Sequence, residues 1–113
     1  MRMWMVNPEV MCRRHLLGEH VELHMFVGSL QRKKNITGYI ENDLLEPQSI
    51  IQRHKDIANE MFNRGYVHKS PLPVFDLSYL SEKIKLHKID RANSIEQLVN
   101  RCLQCKMKGL KNG

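Results

Sequence analysis

His15, Glu19 and Glu22 are the residues whose types and spacing could do chemistry in this chain. At about 100° per residue, a helix puts Glu19 about 40° from His15 and Glu22 about 20° from it on the other side. One helical face then carries an imidazole and two carboxylates, with Phe26 inside the same arc, where a buried helix would carry leucine. Carboxylates so placed can move protons and stabilise a developing cation. They need a nucleophile or a metal to work with.

Metals come first. His20 and His24 stand four apart, a spacing that suits a two-histidine grip. The intervening residues read His-Val-Glu-Leu-His, however, and not His-Glu-x-x-His, so the zincin general base is misplaced. Cys102-Leu-Gln-Cys105 is a single C-x-x-C, and a structural zinc wants two more ligands. Cys12 or a histidine could supply one, but no spacing fixes it. Neither metal nor cofactor is expected, and helical histidines on a basic surface read as phosphate contacts or polar core groups.

Among nucleophiles, there is no Gly-x-Ser-x-Gly elbow and no phosphate-cradling glycine loop. Cys12 lies beside Arg13 and Arg14, which favour a thiolate, yet a cysteine on the apolar side of a helix is expected to be packed. The α-amine of Met1 remains. Its reference pKa of roughly 7.7–8.0 leaves a useful neutral fraction near physiological pH. Such an amine can attack a sugar C1′ and form a Schiff base, with a nearby carboxylate to handle protons.

The elements that must position these groups follow from capping and periodicity. Asn7 and Pro8 form a helix-start signal, and no further proline interrupts the chain before Gly28, so a single long helix is expected from Asn7 to about Leu30. Met1–Val6, with the lone Trp4, should pack back onto it. The basic run Gln31-Arg32-Lys33-Lys34-Asn35 ends the helix, Thr37-Gly38-Tyr39 reads as a turn, and residues 40–46 as a connector. Pro47 opens a second helix in which Ile50, Ile51, His54, Ile57, Ala58, Met61 and Phe62 recur at helical spacing, closed by Arg64-Gly65. Pro71 and Pro73 forbid a helix between Tyr66 and Phe75. A short helix fits Ser78–Leu86, and a last one starts after Asp90 and runs through Ile95, Leu98, Val99 and Cys102. Residues 106–113 read as a frayed basic tail. The expectation is one all-α domain, 1–113, with three principal helices.

Composition narrows the partners. The chain has 113 residues, 42% apolar and 27% charged, with 18 Lys+Arg against 12 Asp+Glu and a formal charge of +6. That is enough apolar content for one modest core, and the positive balance favours a polyanion, most often nucleic acid. No apolar run approaches the roughly 20 residues of a membrane span, and the first nine residues do not form a signal peptide. Three cysteines, an odd number, point to reduced thiols in a cytoplasmic setting.

The run His15-Leu-Leu-Gly-Glu19-His-Val-Glu22-Leu23, continued by Phe26, Gly28 and the basic stretch, resembles the first catalytic helix of the pyrimidine dimer DNA glycosylases, the viral endonuclease V type. That family carries His-Leu-x-x-Glu-x-x-Glu-Leu close behind its N-terminus. Ile57–Tyr66 is similar to a later family helix that also ends in Arg-Gly-aromatic. Aligned on His15 and Glu22, Met1 falls on the family's nucleophilic N-terminal residue and Arg2 on its following arginine. Because Arg2 is bulky, the initiator methionine should be retained. The resemblance implies a glycosylase with apurinic/apyrimidinic lyase activity on double-stranded DNA; a monomer is the separate expectation for its assembly. Met1 would be the nucleophile, Glu22 the essential carboxylate, and His15 and Glu19 their support. Arg2 would bind phosphate. Val21 and Met25 stand where the family has lesion-flanking arginines, and the tyrosine-rich tail is replaced by a basic one, so Arg13, Arg14, Arg32, Lys33, Lys34 and Lys69 are the candidate phosphate contacts. The alternatives are a non-catalytic basic nucleic-acid-binding module of the same fold and a metal-binding interaction protein built on His20, His24 and the C-x-x-C.

Overall fold

The N-terminal segment, residues 1–6, is extended and threads through the middle of the molecule, with Met3, Trp4 and Val6 buried. Buried backbone outside a helix or sheet must find partners one by one. Here Met3 N–H donates to Leu44 O at 2.8 Å and Trp4 N–H to the Glu19 carboxylate at 3.0 Å. The Trp4 carbonyl accepts from Ser94 Oγ, and the Val6 carbonyl from Arg53 at 2.5 Å. Met5 sits at φ 55°, in the left-handed region that costs an L-residue about 1–2 kcal/mol, and these bonds on either side hold it there.

This computed structural model describes residues 1–67 and 70–112. Lys69, one of the expected DNA contacts, lies outside the described residues. Among the described residues, six helices and two 3-10 turns make up the regular structure: α1 (Arg13–Gln31), α2 (Thr37–Glu41), α3 (Ile50–Asn63), α4 (Glu82–Lys85), α5 (Arg91–Arg101) and α6 (Leu103–Asn112), with turns at Pro8–Val10 and Pro47–Ser49. There are no strands among the described residues. The Cα envelope is 42 × 31 × 16 Å, a slab in which α1 packs on α3 while α6 packs on α5 and on the Pro8–Val10 turn. Leu16, Leu23, Phe26, Val27 and Leu30 of α1 meet Ile50, Ile57 and Met61 of α3 in a core closed by Met3, Leu45, Ile89 and Leu98.

The all-α expectation holds, with three local corrections. The Asn7-Pro8 signal starts only a 3-10 turn: Asn7 Oδ1 accepts from Glu9 N–H, and Met11 and Cys12 are then extended before α1 begins at Arg13. Arg64 enforces this break by donating to the carbonyls of Pro8 and Met11, at 3.0 and 2.7 Å, so neither need serve a continuous helix. Residues 37–41 are a short helix, opened by Asn35 Oδ1 accepting from Thr37 N–H and Oγ1. Residues 106–112 are helical, because α6 starts at Leu103 directly after α5 and lies against the first 3-10 turn.

The other stop signals work as expected. Gly65, at φ 81°, takes the left-handed position after α3, with Tyr66 N–H bonded to Met61 O and Gly65 N–H to Phe62 O. Asp90 caps α5 through Asn93 N–H. Ile51 and Phe62, counted with the apolar face of α3, are exposed; His54, counted with the same face, is buried, and so is Arg53, which was not.

Candidate active site

Three residues of one α1 face arrive in three different environments. Glu22, half-buried, stands 3.8 Å from the Met1 α-amine. The side chains of Met1 and Glu22 are 15% and 29% exposed. Glu19, three residues earlier, is buried and fully engaged. Its two oxygens take a bidentate pair from Arg53, at 2.6 and 2.9 Å, and Oε1 also accepts Trp4 N–H. His15, one turn earlier again, faces sulfur: Nδ1 lies 3.3 Å from Cys12 Sγ and 3.6 Å from Cys105 Sγ, and its ring meets the edge of Trp4. Burial, aided by Arg14, pushes the His15 imidazolium below its ordinary range.

The Glu19–Arg53 pair explains why the amine sits where it does. Arg53 reaches from α3 to Glu19 on α1, to the Val6 carbonyl and to Met11 Sδ. Glu19 in turn holds Trp4 N–H, so the pair fixes residues 4 and 6 of the leading segment against α1. Arg2 fixes the same segment from the other side. Its guanidinium stacks 3.8 Å from the Trp4 ring centroid and donates to Gln97 and Ser94 of α5, at 2.6 and 3.0 Å. This arginine, expected on phosphate, is turned inward and buried.

Beside Met1 opens a cavity of about 540 Å³. Val21, His24, Met25, Gly28 and Arg32 of the α1 region wall it, with Tyr39 of α2 opposite. Val21 and Met25 are large apolar side chains at 56% and 50% exposure, so the wall beside the amine is wettable hydrocarbon. Arg32 brings the basic run to the rim, and Lys33 and Lys34 follow it, all exposed. Arg13 and Arg14, also exposed, are at the opposite end of α1, where Arg13 lies over Tyr66.

The family model for pyrimidine dimer DNA glycosylase matches residues 1–74. The chain belongs to that family. No curated protein and no solved structure gives a significant match. The glycosylase match takes in Met1, all of α1 and α3, Glu22, and both partners of the buried Glu19–Arg53 pair. It leaves out α4, α5 and α6, and with them Cys102, Cys105 and the α5 residues that hold Arg2.

Arg53 is the residue of this glycosylase that sequence reasoning missed. An arginine in an amphipathic helix reads as solvent-facing, and its partner is 34 residues away. The one available signal was Glu19 itself, a carboxylate flanked at helical spacing by Leu16, Leu23 and Phe26. Such a position is buried, and a buried charge demands a counter-charge. Ser29 and Tyr39, which also line the cavity, carried no signal of their own, and His24, singled out only for its spacing from His20, lines it as well.

Proposed function

We propose that this DNA glycosylase couples base removal to strand cleavage, using the Met1 α-amine as nucleophile and Glu22 as its acid–base partner. What carries the reading is the juxtaposition of that amine and that carboxylate, 3.8 Å apart, with Met1 lining a cavity large enough for an extruded nucleoside. The neutral amine attacks C1′ of the damaged nucleotide, and the N-glycosidic bond breaks as the base leaves with the bonding pair. The amine nitrogen loses its protons as the sugar ring opens, giving an imine at C1′. Loss of a C2′ proton then expels the 3′ phosphate by β-elimination. Glu22 is the group placed to take and return protons near C1′ and to offset the iminium charge. Glu19 is a positioning residue, because both of its oxygens are occupied by Arg53 and Trp4. Arg2 positions the same segment.

The substrate is double-stranded DNA carrying a pyrimidine dimer or another damaged base. Val21 and Met25 offer apolar faces for the bases at the lesion, and Arg32, Lys33 and Lys34 engage the phosphates beside the cavity, with Arg13 and Arg14 further along the duplex. The test is borohydride reduction in the presence of UV-irradiated, abasic and undamaged duplexes, with intact mass establishing that Met1 is retained. The irradiated and abasic duplexes should each trap a covalent adduct that Glu22→Gln abolishes. Trapping on the abasic duplex alone keeps the lyase and discards dimer specificity. No adduct on any duplex contradicts the proposal.

A further inference from the structure

Two cysteine-centred turns, far apart in sequence, meet in this fold. Cys12-Arg-Arg-His15 opens α1 and Cys102-Leu-Gln-Cys105 opens α6, each pair spaced i,i+3 at the start of a helix. The three sulfurs and the His15 ring nitrogen all lie within 4.8 Å of one another. The cysteines are free thiols, with Cys12 and Cys105 buried.

Three of these spacings come close to the edges of a metal tetrahedron. With Zn–S near 2.3 Å and Zn–N near 2.0–2.1 Å, tetrahedral edges come to about 3.8 Å between sulfurs and about 3.6 Å between sulfur and nitrogen. Here Cys12 Sγ and Cys102 Sγ are 3.8 Å apart, Cys105 Sγ and His15 Nδ1 3.6 Å, and Cys12 Sγ and His15 Nδ1 3.3 Å. Single thiol–imidazole hydrogen bonds account for these contacts pair by pair, but a metal accounts for three sulfurs and one nitrogen gathering at one point. The backbone is arranged for thiolates as well. Cys12 N–H points at Cys105 Sγ at 3.2 Å and Cys105 N–H at Cys102 Sγ at 3.5 Å. Both turns also present helix N-termini, where the peptide dipoles favour negative charge. The helix break at Met11–Cys12 serves this geometry, since a continuous helix from Asn7 would commit the Cys12 N–H to an intrahelical carbonyl.

We infer that Cys12, His15, Cys102 and Cys105 form a structural zinc site that staples the start of α1 to the α5–α6 joint. Four protein ligands close the coordination sphere, so the ion has no open position for a water or a substrate. Three thiolates and a neutral imidazole around a divalent ion leave a net charge of −1, and Arg13 and Arg14, in the turn between two ligands, offset it. The site ties residues inside the family match to residues beyond it. It gives Cys102 and Cys105, which the glycosylase chemistry does not use, a role of their own.

The test uses the untagged full-length protein, purified under reducing conditions. Elemental analysis should find one zinc per chain. Cobalt substitution should give a tetrahedral visible spectrum with a thiolate-to-metal charge-transfer band that falls by about a third in Cys102→Ser, which removes one of three thiolates. His15→Ala should shift the visible bands, and His24→Ala, in the separate cluster of His20, His24 and His54, should leave them unchanged. In the wild type, thiol titration should find all three cysteines protected until a strong chelator is added, a readout that does not depend on any variant folding. The inference is overturned by a folded, zinc-free protein whose thiols react at the same rate with and without chelator. It is equally overturned by cobalt spectra lacking the charge-transfer band, or by zinc that persists in Cys102→Ser and is lost in His24→Ala.

Discussion

Replacing Arg53 by methionine removes one partner of a pair that is almost wholly out of water, Arg53 at 4% side-chain exposure and Glu19 at 0%. The Arg53→Met variant leaves the Glu19 carboxylate with only Trp4 N–H, and the Val6 carbonyl and Met11 sulfur with no donor from Arg53. Breaking a buried ion pair from one side costs about 3–5 kcal/mol, a large share of the roughly 5–15 kcal/mol that holds a domain together. For a chain of this size each kcal/mol moves the melting temperature by about 4 °C, so a drop of about 12–20 °C is expected. Glu19→Leu alone strands the arginine and should cost a similar amount. The double variant removes both charges of the pair and leaves the Trp4 N–H and Val6 carbonyl to be satisfied, at about 1–3 kcal/mol each. Denaturant unfolding of the four proteins at neutral pH, followed by circular dichroism, closes the cycle. A coupling of at least about 2 kcal/mol is expected. Arg53→Met costing less than about 1 kcal/mol, or single effects that add within about 0.5 kcal/mol, would refute the role given to the pair.

Other consequences are open to separate checks. Glu22→Gln should cost about 10²–10⁴-fold in lyase rate with little change in melting temperature, because the contact it removes is long, at 3.8 Å, and only partly buried; single-turnover nicking and calorimetry on one preparation decide it. Replacing Arg32, Lys33 and Lys34 together by alanine should reduce the slope of log K against log salt by about 0.9 for each phosphate the variant no longer neutralises, as read by titration of an abasic duplex at several salt concentrations; an unchanged slope places the DNA elsewhere. Burial pushes the Glu46 carboxyl up, but hydrogen bonds from Arg91, Ser49 and Ile89 N–H outweigh it and hold the group at about 2, against an ordinary 4.5. Its folded-state pKa is depressed, so its contribution is complete above pH 4.5 and disappears as pH falls towards 2, up to about 3 kcal/mol in all. Glu46→Gln should remove that part of the acid sensitivity, and an identical pH–stability profile for the variant would contradict the assignment.

Much of this was legible in the chain, and the misses share a cause. Helix ends set by local chemistry came through: Asp90 caps α5, and Gly65 closes α3 because it alone avoids the Cβ penalty at a left-handed φ. The misses occur where a distant residue overrides a local preference. Asn7-Pro8 is a sound helix start, but Arg64, 56 residues beyond Pro8, takes the Pro8 carbonyl and stops the turn from propagating. The face of His15, Glu19 and Glu22 was visible from periodicity, while the division of labour on it was not. Arg53 from α3 claims Glu19, Cys12 and Cys105 claim His15, and Glu22 alone is left beside the amine. Arg2 reads as a phosphate contact for the same reason: nothing local to it reveals Gln97 or Ser94. The C-x-x-C was seen, and Cys12 or a histidine was open as a further ligand, but no spacing in the sequence singled out Cys12-x-x-His15 as its complement. The fold is what brings the two halves together.

The central claim, that the amine at the start of the chain is the nucleophile, is tested most directly by locating the covalent bond. The borohydride-reduced adduct with an abasic duplex should be digested with protease and nuclease and its peptides sequenced by mass spectrometry. The account predicts the sugar remnant on the Met1 α-nitrogen, with no such remnant formed by protein whose N-terminus has been acetylated. A remnant on the side chain of Lys33 or Lys34, or an undiminished adduct after acetylation, would contradict it.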